Sequence, residues 1–175
     1  MMKNICLFIF LLCTFAISAT AQLYELSSPG GNLRFSLQVG DSMTYTVYAG
    51  TKRLIKPSSI GLELYSGYRT ADHAEIKNTS RSEVHGIIPV LNGKNTEIRE
   101  DYKELVLEMD SFSLIVRAYD EGIAYRFKTR FSGEITVKSE TAEFNFEGDP
   151  DIWFGEAEPE MIQWERSYYP YASIG

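Results

Sequence analysis

The sequence predicts an all-β sandwich of antiparallel strands. Three observations support this prediction. Apolar residues recur at every second position in successive runs, short breakers rich in Gly, Asn and Asp separate those runs, and only residues 159–167 could form a helical turn or two. The runs number about ten and lie close together, which favours a sandwich over parallel βαβ units.

The first residues predict a secretory signal peptide ahead of the sandwich. Lys3 is the only charge before an apolar run over residues 5–17, and Ala19-Thr20-Ala21 forms an A-x-A cleavage site before Gln22. The run is too short to span a bilayer comfortably. We expect residues 1–21 to be removed, and we expect residues 22–175 to form one domain in the periplasm with no attachment to the membrane.

Composition limits the partners of the exported domain. Both cysteines, Cys6 and Cys13, leave with the signal peptide, so disulfides and cysteine metal sites are excluded. Since Lys3 is the one charged residue removed, the 17 Lys and Arg become 16 against 24 Asp and Glu, and the net charge is −8. Such a surface repels nucleic acid and anionic membranes, and it leaves neutral ligands and cations as partners.

The first half of the domain predicts two half-buried strands. In each, apolar side chains occupy every second position, so that one face turns toward a core. The breakers 29–32, 40–42 and 50–52 bound these strands. The inward positions are Leu33, Phe35, Leu37 and Val39 in the first strand and Tyr45, Val47 and Ala49 in the second.

The same period returns in the second half. The breakers Asn92-Gly93 and Asp120-Glu121-Gly122 predict tight hairpins in which glycine supplies a positive φ. Between the halves, residues 65–83 are polar and lack the period, which predicts a long surface loop. The inward positions of the later strands are Leu105, Leu107, Met109, Phe112, Leu114, Val116, Ala118, Ile123, Tyr125 and Phe127.

No conventional catalytic motif is present in the sequence. Gly30-Gly31 and Gly61 lack the spacing and the lysine of a phosphate loop, and there is no nucleophile elbow. His73 and His85 have no second histidine at metal-ligand spacing, and we interpret both as surface side chains. The acidic and aromatic stretch near the C-terminus remains as the candidate for a site.

The acidic C-terminal stretch contains the best candidate for a metal ligand. Calcium takes six to eight oxygen ligands, and this stretch is rich in carboxylates. We interpret Glu156, Glu158 and Glu160 as a solvated loop, whereas Glu165 lies between Trp164 and Tyr168 and should be partly desolvated. A desolvated carboxylate needs a cation, a hydrogen-bond donor or a proton. The seven carboxylates are Glu147, Asp149, Asp151, Glu156, Glu158, Glu160 and Glu165.

The same stretch is aromatic, which suggests a second kind of site. Aromatic rings stack on the C–H faces of pyranose rings, although they also fill protein cores. We select Trp153 and Trp164 as candidate sugar-binding residues from the set Trp153, Phe154, Trp164, Tyr168, Tyr169 and Tyr171. Hydrolysis would also need two carboxylates held at a set separation by rigid elements, and no scaffold follows them in this sequence.

Four segments in this order resemble the N-terminal domain of glycoside hydrolase family 97. They are YTVYAGTKRLIKPSSIGLEL (45–64), IREDYKELVLEM (98–109), RAYDEGIAYRF (117–127) and the stretch 153–169. The resemblance implies a β-super-sandwich, akin to galactose-mutarotase-like carbohydrate-binding folds, packed on a catalytic (β/α)8 barrel. Members of this family are exported bacterial enzymes that act on α-glucosides or α-galactosides. The resemblance therefore implies an α-linked oligosaccharide as the ligand.

The resemblance implies a role for Glu165. The family's N-terminal domain lends the active site a calcium-ligating glutamate in a motif similar to Tyr-Glu-x-x-Tyr, which reads Trp164-Glu165-Arg166-Ser167-Tyr168 in this sequence. The family's acid and base lie in the barrel, and this sequence stops at Gly175 before any barrel. We therefore expect a truncated, inactive domain that binds calcium only when a barrel is present.

Two alternatives remain open at this point. The chain could be a free-standing carbohydrate-binding or adhesive sandwich whose C-terminal aromatic residues form a sugar platform. It could also be a complete small hydrolase that uses Glu165 with one of its acidic neighbours.

Overall fold

The computed structural model describes residues 21–72, 74–91, 96–154 and 169–171. These residues form eleven strands and no helix, and none of them provides a helix of the length and apolar character that a membrane crossing requires. In chain order the strands are β1 (Gln22–Ser27), β2 (Leu33–Val39), β3 (Met43–Ala49), β4 (Lys52–Leu64), β5 (Asn78–Pro89), β6 (Glu97–Glu108), β7 (Phe112–Ala118), β8 (Ile123–Thr129), β9 (Val137–Ala142), β10 (Ile152–Phe154) and β11 (Tyr169–Tyr171).

The strands form two large antiparallel sheets and one small pair. The first sheet has the order β1-β2-β3-β4-β9, and the second has the order β5-β6-β7-β8. Among the described strands, β10 pairs only with β11. Neighbours in the sheets are mostly neighbours in the chain, as expected where short hairpins connect antiparallel strands.

The core lies between the two large sheets. Phe35 and Leu37 of β2 and Leu107 and Leu114 of β6 and β7 are fully buried in one cluster. The two-residue alternation places these side chains on the facing sides of the sheets, so the predicted β-sandwich is confirmed. Val84 in the second sheet is only half-buried, because β5 is an edge strand exposed along most of its length.

The predicted loop over residues 65–83 is wrong in its last part. β5 begins at Asn78 and pairs with β6 through Asn78↔Glu108 to Pro89↔Glu97. Its first residues are exposed on both faces, so they carry no apolar alternation from which a strand could be predicted. The earlier part of the segment is irregular but contributes to the core: Thr70 is buried and its Oγ1 accepts a 2.8 Å hydrogen bond from the Leu62 amide.

The predicted positive φ at Gly122 is also wrong. The β7–β8 hairpin turns through Asp120 and Glu121, and the Tyr119 amide donates to the Gly122 carbonyl at 2.8 Å. Gly122 therefore lies at the end of the turn, and its φ is outside the left-handed region. Gly50, in the tight β3–β4 connection, has a positive φ of 57°, while Asn92-Gly93 lies outside the described residues.

Asp120 connects the turns of the two sheets. Its Oδ1 accepts a 2.8 Å hydrogen bond from the amide of Gly30, in the turn between β1 and β2. A hydrogen bond from the Ser28 side chain, followed by that from Gly30, lowers the pKa of the Asp120 carboxyl. A Cβ atom at Gly30 would stand only 2.8 Å from the other carboxylate oxygen, so a larger residue there would force the Asp120 carboxylate to shift.

We expect Asp120→Ala to lower the thermal unfolding midpoint by a few degrees at pH 7. Because the folded-state pKa is lowered, the carboxylate stabilises the domain at neutral pH, and this stabilisation is lost as the pH falls through the folded pKa. Thermal unfolding of both proteins, followed by circular dichroism at pH 7 and in acid, should therefore show a difference that shrinks in acid. Glu121→Ala, at the adjacent exposed carboxylate, is the control, and an equal effect in both variants would contradict the assignment.

Candidate functional site

The predicted site residues lie mostly outside the described part of the chain. Glu165 and Trp164 are not among the described residues, and Trp153 lies in β10, where only the backbone is described. β10 and β11 pair antiparallel, with Trp153 opposite Pro170 and Phe154 opposite Tyr169. The backbones at the two ends of the stretch that contains Trp164 and Glu165 are thereby brought together.

The carboxylates at the start of the acidic stretch and just before it bind other parts of the protein. Glu147 accepts a 2.5 Å hydrogen bond from Arg53 Nε, which lowers the pKa of the glutamate and raises that of the arginine. Glu143, earlier in the chain, accepts a 2.9 Å hydrogen bond from the Ser59 amide, and this bond lowers the pKa of Glu143. Within the described ranges, no group of three or more His, Cys, Asp or Glu side chains could hold a metal ion.

The residues that follow β9 extend the first sheet along β4. The Glu143 amide donates to the Ser59 carbonyl at 3.1 Å, the Lys56 amide donates to the Asn145 carbonyl at 2.7 Å, and the Glu147 amide donates to the Leu54 carbonyl at 2.9 Å. These bonds fix the backbone of residues 143–147 beside β4. As a result, Phe144 is held next to the buried ring of Tyr45.

A cavity of about 240 Å³ opens between the sheets at this position. One wall comes from β2, β3 and β4, the opposite wall comes from the β7–β8 hairpin, and Phe144 contributes from the segment beside β4. Most of the lining side chains are aliphatic or aromatic, and Glu121 is the one carboxylate among the described residues that line it. A concave apolar pocket with a few polar groups is the usual form of a small-molecule site.

Tyr45 is the centre of the aromatic cluster beside this cavity. Its ring stacks on Phe35 with centroids 5.6 Å apart, tilts against Tyr125 at 6.3 Å, and meets Phe144 edge-on at 6.5 Å. Its hydroxyl donates a 2.7 Å hydrogen bond to the Glu143 carbonyl. The buried phenol is therefore satisfied, and its position is fixed by both sheets.

The two tyrosine hydroxyls of the cluster stay neutral at physiological pH. Burial, followed by the proximity of Tyr125 and Glu143, raises the pKa of Tyr45 to about 12. Burial, followed by the proximity of Glu140, raises the pKa of Tyr125 as well. Such groups can donate and accept hydrogen bonds but are poor general bases near pH 7.

The sequence did not identify this cavity. It marked Tyr45 and Tyr125 as inward strand positions, but it could not show that the two rings face each other from opposite sheets. Phe144 was absent from the predicted aromatic set because it precedes the crowded stretch. The sequence did contain one signal for a further strand-like segment here, because polar and aromatic residues alternate over Glu143, Phe144, Asn145 and Phe146.

His85 is an exposed side chain on β5, as predicted. Its Nδ1 lies 2.8 Å from Asp101 and its Nε2 lies 3.3 Å from Glu83, with 64% of the side chain exposed. His73 lies outside the described residues.

Comparison with known proteins gives consistent matches in sequence and fold. The family model described as "Glycosyl-hydrolase 97 N-terminal" matches residues 26–174. A retaining alpha-galactosidase from Bacteroides thetaiotaomicron is 32% identical over 150 residues, which are 85% of this chain and 22% of that enzyme. The chain thus spans less than a quarter of this curated relative.

Two solved structures share the fold at lower identity. A glycoside hydrolase family 97 enzyme from Pseudoalteromonas sp. strain K8, in complex with panose, has a TM-score of 0.70 and 15% identity over 85% of this chain and 24% of its own. A beta-arabinopyranosidase has a TM-score of 0.70 and 18% identity over 83% of this chain and 26% of its own.

We expect Tyr45→Phe to lower the free energy of unfolding by about 1 kcal/mol at pH 7, because it removes one buried hydrogen bond. The native protein should also lose stability faster than the variant between pH 10 and pH 12. Folded Tyr45 remains protonated there while the unfolded residue, at its ordinary pKa of 10.0, ionises. Urea unfolding at pH 7 and across this alkaline range measures these differences.

The matched control is Tyr65→Phe, since the Tyr65 side chain is 72% exposed. This substitution should leave the free energy of unfolding nearly unchanged at pH 7. Equal losses in the two variants would show that the hydrogen bond from Tyr45 to Glu143 does not stabilise the fold.

Proposed function

This chain belongs to the family of glycosyl-hydrolase 97 N-terminal domains, and on that premise we propose that it is the non-catalytic N-terminal module of a secreted α-glycosidase. In this proposal the sandwich packs against a catalytic (β/α)8 barrel and faces an α-linked oligosaccharide. The family match over residues 26–174 is the observation that carries the proposal. The predicted signal peptide supports delivery to the periplasm.

The described carboxylates support a non-catalytic role. A general acid in glycoside hydrolysis needs a raised pKa, and its partner carboxylate must stand at a set distance across the bond. In the described ranges, every carboxyl group with a resolved pKa shift has its pKa lowered by hydrogen bonds or nearby cations. These groups are Glu63, Asp120, Glu143 and Glu147. These groups act as anchors of the fold.

Glu165 is the residue that we propose as a calcium ligand. The support is its motif, Trp164-Glu165-Arg166-Ser167-Tyr168, together with the pairing of β10 and β11, which joins the two ends of the surrounding stretch. One carboxylate supplies only one or two of the six to eight oxygens that calcium takes. The remaining ligands would come from the barrel, and Trp153 and Trp164 would contact the sugar beside it.

A chimeric enzyme tests this proposal. In the Bacteroides thetaiotaomicron galactosidase, residues 26–174 of this chain would replace the matching segment. We expect the chimera to hydrolyse p-nitrophenyl α-D-galactopyranoside in a calcium-dependent manner, and we expect Glu165→Gln to raise the calcium concentration required by about tenfold or more. The exported chain alone should show no turnover.

Glu160→Gln is the matched control, because Glu160 is a neighbouring carboxylate that we interpret as solvated. It should leave the calcium dependence of the chimera unchanged. Equal calcium dependence in the Glu165→Gln chimera would refute the ligand role of Glu165. Turnover by the isolated chain, abolished by Glu165→Gln, would establish a complete small hydrolase instead.

A further inference from the structure

We propose that the cavity between the two sheets binds the ring of a neutral pyranoside. This site is built from described strands and does not include Glu165. The choice of a sugar as the ligand rests on the proposed function. The cavity itself does not depend on Glu165 or on calcium.

The dimensions of the cavity suit a single ring. A cavity of roughly 150 Å³ is enough to hold benzene, so a volume of about 240 Å³ admits one six-membered ring with substituents. Its two walls belong to different sheets, and the Asp120–Gly30 hydrogen bond holds the β7–β8 turn against the first sheet. The cavity is therefore formed by the packing of the two sheets in the folded domain.

The aromatic rings present surface that a pyranose can use. Phe144 is 56% exposed, and its contact with Tyr45 is edge-on. An edge-on contact does not stack the two rings, so part of the Phe144 ring remains available to a ligand. Tyr125 is half-buried on the opposite wall. Faces of this kind pack against the C–H groups of a sugar ring.

Polar groups of the cavity favour a hydroxylated ring over a hydrocarbon ring. The Tyr125 hydroxyl has no hydrogen-bond partner among the described residues, whereas that of Tyr45 is bound to Glu143. The Tyr125 hydroxyl is not a buried atom without a partner, so it is accessible to a ligand hydroxyl, to which it can donate or from which it can accept. The Glu121 carboxylate at the lining can accept a second hydrogen bond from the sugar.

The charges of the cavity favour a neutral ligand. Glu121 lines it, and Glu140 and Glu143 are close enough to Tyr125 and Tyr45 to raise the pKa values of these phenols. Among the described residues of the lining, none is Lys or Arg. An anionic ring such as a uronate would therefore be repelled without a compensating cation.

Ligand-observed saturation-transfer NMR on the exported chain tests the proposal. The probes are methyl α-D-galactopyranoside, methyl α-D-glucopyranoside, the corresponding galacturonide and cyclohexanol. We expect saturable transfer to at least one neutral pyranoside, weaker transfer to the galacturonide and cyclohexanol, and a loss of affinity of about threefold to tenfold in Tyr125→Phe. The Tyr125→Phe variant removes a hydroxyl without a described protein partner, so it should keep the native unfolding midpoint.

Phe144→Ala should also weaken binding, and Phe146→Ala is its control because Phe146 is not among the described residues that line the cavity. Absence of transfer to both neutral pyranosides would overturn the proposal. Unchanged affinity in both Tyr125→Phe and Phe144→Ala, or tighter binding of cyclohexanol than of the pyranosides, would also overturn it. The chimera experiment tests the role of Glu165 and does not involve the cavity. A negative NMR result would therefore leave the proposed function intact.

Discussion

The pairing of residues 143–147 with β4 organises the side chains around the cavity, and it also provides the acceptor for the buried hydroxyl of Tyr45. An inward-facing phenol in an apolar core needs a hydrogen-bond acceptor, and the carbonyl of Glu143 provides it at 2.7 Å. That acceptor belongs to the segment that follows β9. The Tyr45 bond therefore adds to the backbone hydrogen bonds that hold this segment beside β4, with Phe144 against the aromatic cluster at one side of the cavity.

The hairpin from Arg117 to Phe127, one of the four segments that resemble the family, has clear structural roles. In the second sheet, Arg117 donates a 2.7 Å hydrogen bond to Glu104 and covers the ring of Tyr102 at 4.3 Å. Asp120 binds the turn of the first sheet, and Tyr125 packs inward. Arg117 thus stabilises the second sheet, whereas Asp120 and Tyr125 hold that sheet against the first.

Acidic character has several physical meanings in this domain. Glu147 is bound by Arg53, Glu143 is bound by the Ser59 amide, and Glu121 at the cavity has no such anchor among the described residues. A negative surface alone therefore does not identify a metal site. The partners of each carboxylate decide whether it stabilises the fold or remains available to a ligand.

The alternation, and hence the sandwich, can be predicted from the sequence alone, because an inward side chain recurs every two residues wherever a strand has one buried face. It could not predict β5 from Asn78, because an edge strand exposed on both faces has no such alternation. The contact between Tyr45 and Tyr125, and the contact of Phe144 with Tyr45, are visible only in the folded protein. These contacts join segments far apart in the chain, and their geometry depends on how two sheets pack together, which the period of a single strand does not specify.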